Sequence, residues 1–177
     1  MKQFTIAATL ALTAISAFAQ QNLNTNVVHW NQIVGVITAP GVDNPVGGAT
    51  DNNGNKINQI HSGAGPWTTR SGSARVNLVT GEGSFEVEGL VLNGSNATGT
   101  PGAVTSIVGT LVCNAGTNAQ TAIDTQATPL STRGDAELSF KLNVPSVCAS
   151  PVFLIRVPSG KWIATGAAPT LSVFSGF

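Results

Sequence analysis

Glycine and proline punctuate this chain so densely that an α-helix has almost nowhere to run. The sequence holds 20 Gly and 9 Pro in 177 residues, and past residue 20 one or the other interrupts most windows long enough to show a helical period. Inside a helix a Gly costs about 1 kcal/mol against Ala, and a Pro about 3 kcal/mol. What the chain shows instead is apolar and polar residues alternating in short runs bounded by Gly, Pro, Asn and Ser, the pattern of a half-buried strand. Ala136, Leu138, Phe140, Leu142 and Val144 alternate with Glu137, Ser139, Lys141 and Asn143, and Pro145 ends the run. Ala74, Val76 and Leu78 alternate with Arg75 and Asn77; Phe85 and Val87 alternate with Glu86 and Glu88. The intervening Thr80-Gly81-Glu82-Gly83 predicts a β-hairpin of 73–79 and 84–92. Beyond Gly89 the apolar phase moves to Leu90 and Leu92, which a bulge at Gly89 explains.

Other segments fit the same reading. Residues 104–113 are apolar on both phases, as in a strand covered on both faces. Residues 152–157 and 161–166 predict a second hairpin, turning at Pro158-Ser159-Gly160. Residues 26–30 and 32–39 read as two strands, 121–126 as a weaker one, and the last eight or so residues as a tail or an edge strand. The expected fold is all-β: an antiparallel β-sandwich, or as the alternative a closed β-barrel, with about 8–9 short strands. The stretch 40–73 is rich in Gly, Asn and Pro and predicts one long loop, the first place to look for a site.

Charge narrows the function classes. Charged residues make up 9% of the chain, with 8 Lys+Arg against 8 Asp+Glu. Binding to nucleic acid or to an anionic membrane surface depends on a basic patch, which this composition argues against. Residues 1–19 read as a signal peptide: Lys2 gives a positive start, Phe4 to Ile15 an uncharged apolar run, and Ala17-Phe18-Ala19 a cleavage site. A single secreted domain of residues 20–177 follows, placed outside the cell, or in the periplasm or on the surface of a bacterium. No later run is long and apolar enough for a transmembrane helix. In an oxidising compartment the only two cysteines, Cys113 and Cys148, predict one disulfide closing a loop of about 35 residues.

Candidate chemistry is sparse. Asp51, Asn53 and Asn55 place oxygens at alternate positions, as at the opening of a calcium loop. Gly54 and Lys56 depart from that pattern, and an Asn-Gly turn competes with it. His29 and His61 are the only histidines. His29 falls in an expected strand, whereas His61, in the long segment, is the better candidate base for a hydrolase. Glu82, Glu86 and Glu88 could be paired as glycosidase carboxylates but read as the solvent face of a strand. Trp67, between Pro66 and Thr68, is a candidate sugar-stacking platform or a plug for the end of the fold; Trp162 reads as core. Asn93 and Asn96 head two glycosylation sequons, relevant in a eukaryotic host. The sequence calls for no cofactor.

The functional expectation is a secreted, non-enzymatic β domain with a structural or binding role, its partner an unidentified extracellular one or a glycan. Two alternatives stand beside it: a carbohydrate-binding module using Trp67, and a secreted hydrolase using His61.

Overall fold

The computed structural model describes residues 26–172 apart from 38, 40, 64 and 95; the expected leader at 1–19 lies outside the described residues. Thirteen strands follow one another: β1 (Val27–Gly35), β2 (Val46–Thr50), β3 (Lys56–Ile60), β4 (Trp67–Thr68), β5 (Ser71–Asn77), β6 (Glu82–Glu88), β7 (Val91–Leu92), β8 (Ser106–Cys113), β9 (Thr121–Asp124), β10 (Thr128–Pro129), β11 (Ala136–Lys141), β12 (Val152–Arg156) and β13 (Trp162–Ser172). The fold is all-β and antiparallel. Nine strands make one sheet in the order β10-β8-β12-β13-β1-β5-β6-β11, with β9 also on β8. β2–β3 and β4–β7 form two small sheets.

The large sheet curls into a half-barrel around its own apolar face, an arrangement between the flat two-layer sandwich and the closed barrel. The Phe153 ring of β12 lies 5.6 Å from Trp30 of β1, 5.7 Å from Phe85 of β6 and 6.3 Å from Phe140 of β11. Strands several places apart in the sheet order thus meet across the interior. At one rim the ends of the sheet touch, where the Thr128 hydroxyl of β10 donates to the Glu137 carbonyl of β11 at 3.4 Å. Curling brings Val28, Val76, Val87, Leu111, Ile155 and Ile163 into the same core. Burial of this apolar area, worth about 25 cal/mol per Å², is the main force holding the curl. Buried polar side chains in the described residues all have hydrogen-bond partners.

The hairpins of β5–β6 and β12–β13 form as the alternation predicts. Gly89, at φ 63°, ends the β6 ladder and turns Leu90 fully inward. Two segments differ from expectation. The two strands read at 26–30 and 32–39 are one, β1, in which the buried phase moves from Val28 and Trp30 to Ile33 and Gly35. The stretch 40–73 is not an open loop, for it contains the β2–β3 hairpin. That hairpin is tied to a distant turn through Gln120, which accepts from the Gly48 N–H and donates to the Asn58 carbonyl. Of the C-terminal residues read as a tail or an edge strand, those up to Ser172 belong to β13, paired with β1 down to Val27; 173–177 lie outside the described residues.

Cys113, at the end of β8, is bonded to Cys148 in the 142–151 connection. Asn114 reinforces the junction: its side chain accepts from the Ala149 N–H and donates to the Val147 carbonyl.

Candidate functional site

The 40–73 segment does gather polar groups, around the end of β3. His61 follows β3 directly, and the turn after β1 returns Asp43 to meet it. His61 Nδ1 lies 2.5 Å from Asp43 Oδ2. The other carboxylate oxygen accepts the Ser62 backbone N–H at 3.0 Å. The His61 contact first, and then the Ser62 N–H, hold the Asp43 carboxyl below its ordinary pKa. An ionised Asp43 favours the tautomer with the proton on Nδ1.

This is two-thirds of a catalytic triad, and among the described residues no hydroxyl or thiol is hydrogen-bonded to the His61 ring. A nucleophile has to meet Nε2, whereas the Ser62 hydroxyl is nearly buried and occupied elsewhere. It accepts from the Asn44 N–H at 2.9 Å and donates to the Gly63 carbonyl at 3.2 Å. The His61 and Asp43 side chains are 47% and 45% exposed, on open surface. The Asn44 carbonyl in turn accepts from Trp162 Nε1 at 2.7 Å, and His61 and Gly63 bond the Trp162 backbone on either side. The arrangement is a clasp: Asp43, Asn44, His61 and Ser62 fasten the loop after β1 to the start of β13.

Trp67 is only 5% exposed and belongs to the core. Its backbone is gripped by Val36 and by Leu92 of β7. It plugs the end of the fold and offers no face to a sugar, so the stacking platform expected there is corrected. Asp51, Asn53 and Asn55 form a turn joining β2 to β3. The Asp51 carboxylate accepts the backbone N–H groups of Asn53 and Asn55 at 2.9 and 2.8 Å and the Asn55 side-chain amide at 3.2 Å. Those bonds, the Asn55 N–H foremost, lower the Asp51 pKa and engage both of its carboxylate oxygens within the turn. Among the described residues no three His, Cys, Asp or Glu side chains group as metal ligands.

Glu82, Glu86 and Glu88 are exposed on the outer face of β6, each engaged by a neighbour: Lys141, Ser73, and Ser71 with Arg70. Across the same outer face runs a shallow depression of about 650 Å³ floored by β1, β5, β6 and β11. Register aligns His29 with Arg75, Arg75 with Ser84, and Ser84 with Ser139. A second row aligns Ser73, Glu86 and Glu137. These side chains offer hydrogen bonds on a rigid sheet, but no aromatic ring stands proud of it. Asn93 and Asn96 lie exposed in the loop after β7. There the Thr98 hydroxyl, part of the second sequon, accepts the Gly94 N–H.

No family model matches the chain, and no curated protein or solved structure does. No helix among the described residues is long and apolar enough to cross a membrane.

Proposed function

We propose that this chain is an exported β domain with a structural or binding role outside the cytoplasm. The observation that carries the reading is the Cys113–Cys148 bridge. Such bonds persist in oxidising compartments and are rare where glutathione and thioredoxin keep thiols reduced. The apolar, uncharged run from Phe4 to Ile15 behind Lys2 suits a leader that delivers the chain there. The His61 geometry supports a role without turnover: its Asp43 partner and the Ser62 hydroxyl are both committed to a clasp. The outer face of β1, β5, β6 and β11 is the surface best equipped to meet a polar partner.

The test is a broad hydrolase and glycosidase screen of the purified protein beside His61→Ala, together with fractionation of the cells that make it. The reading predicts no turnover by either protein and recovery outside the cytoplasm. Turnover that disappears in His61→Ala would replace it with the hydrolase reading, and a cytosolic protein would remove export.

A further inference from the structure

We propose that the open edge of β13 near its C-terminal end pairs, antiparallel, with the same edge of a second copy of this chain. On one side β13 is paired with β1 from Ala164 to Ser172. On the other its ladder with β12 stops at Leu154↔Thr165. Beyond that point the strand has one neighbour only among the described residues, and Ala168 to Leu171 are exposed.

The direction of the backbone groups follows from the ladder. The Leu78 N–H bonds the Asn26 carbonyl, so Asn26 and Val28 address β5. In an antiparallel sheet alternate residues address opposite neighbours, so Val27 and His29 address β13. Their partners are Ser172 and Thr170. The Pro169 carbonyl and both backbone groups of Leu171 therefore point to the open side. Leu171, 62% exposed, stands at the middle of that edge.

Free edges are normally kept single by charge, brevity or proline. The open side of β11 carries Glu137 and Lys141. β9 is four residues long and carries Asp124, which is paired with Arg156. β13 has no charged residue from Trp162 to Ser172. Its one guard is Pro169, whose missing N–H falls on the open side and removes a single donor.

A copy of this chain suits the edge better than a charged partner does. The edge offers no charge to complement, and the chain's formal net charge is zero, or −1 once Lys2 leaves with the leader, so two copies meet with little net repulsion. A two-fold axis at Leu171 lets each Leu171 N–H donate to the Leu171 carbonyl of the other copy, an isologous contact. The two Leu171 side chains then become a direct cross-strand pair on one face. This inference does not depend on where the protein works.

The test is sedimentation velocity of the purified protein across a wide concentration range, beside Leu171→Lys and Val79→Lys. Val79 is 55% exposed and lies past the end of β5, two strands away from this edge and outside the proposed contact. The wild type and Val79→Lys should sediment at twice the mass of one chain. Leu171→Lys should sediment as one chain at the same concentrations, with an unchanged circular dichroism spectrum showing that it is folded. A wild type that stays single at every concentration, a Leu171→Lys that still doubles, or a Val79→Lys that separates equally would overturn the proposal.

Discussion

Replacing Gly109 with Ala adds one methyl group between two rings of the aromatic core. Gly109 lies on β8 facing inward, at a φ that any residue accepts. Its added Cβ would stand 2.9 Å from Phe153 Cζ and 2.9 Å from Phe85 Cε1. Carbon atoms pack best at about 3.5–4.0 Å, so one of these rings has to move. Phe153 has little room to do so, since Trp30, Phe85 and Phe140 hold it on several sides. Overpacking of this kind costs about 1–3 kcal/mol. Ala also restricts the unfolded chain, which returns about 0.4–1 kcal/mol, and the steric cost wins. With a urea dependence of about 1–3 kcal/mol per molar, the unfolding midpoint should fall by about 0.5–1 M. Phe153→Leu shortens the obstructing ring. In that background Gly109→Ala should cost about 1 kcal/mol less, a coupling typical of residues in contact. Urea titrations of the two single variants and the double variant measure it. A neutral Gly109→Ala, or strictly additive losses, would refute a sheet closed tightly upon its own aromatic face.

Other expectations follow from the same contacts. Changing Cys113 and Cys148 together to Ala should lower stability by about 3–4 kcal/mol by the loop-entropy relation for a separation of 35 residues, read as a urea midpoint with the wild type kept oxidised. Gly54 and Gly81 both hold positive φ, yet a Cβ at Gly54 meets open space while one at Gly81 lands on the Leu142 carbonyl. Gly54→Ala should thus cost about 1–2 kcal/mol, and Gly81→Ala clearly more, in the same titration. Asp43, Asp51, Glu88 and Asp135 all have carboxyl pKa values lowered in the folded state, chiefly by the His61 ring, the Asn55 N–H, the Ser71 hydroxyl and the Gly89 N–H respectively. Their contribution is complete above the unfolded carboxylate range near about pH 4 and disappears as pH falls through the lower folded values. Thermal midpoints should therefore hold from neutrality to about pH 5 and decline below about pH 4, with a shallower decline in Asp51→Asn.

The strands legible in the sequence were those whose local pattern and tertiary setting agree. In β11, Leu138 and Phe140 face the core while Glu137, Ser139 and Lys141 face water, so alternation alone reveals it. The change of apolar phase after Gly89 marked a real break, although what stands there is the end of the β6 ladder at Glu88, with Gly89 at positive φ. The β2–β3 hairpin was hidden for a physical reason: Gly47, Gly48 and Asn58 sit at positive φ and break the alternation, and the anchor Gln120 lies 72 residues from Gly48. The end of β13 was obscured by Gly166 and Pro169, which usually punctuate strands but are accepted where one side is open. His61 was visible as a candidate because it is one of two histidines. Its pairing with Asp43, 18 residues earlier, depends on the return of the chain after β1, which no local pattern encodes. Trp67 misled because its neighbours are Pro66, Thr68 and Thr69, whereas its seat in the core is made by Val36 and Leu92.

The Cys113–Cys148 bridge clamps the sheet, and the proposed function places it in an oxidising compartment. Intact-protein mass spectrometry of the chain recovered from its producing cells, with and without alkylation of free thiols, tests that most directly. The account predicts a mass beginning at Gln20, two hydrogens short of the reduced form, and no alkylation until a reductant is added. A chain beginning at Met1 with Cys113 and Cys148 both alkylated before reduction would contradict it.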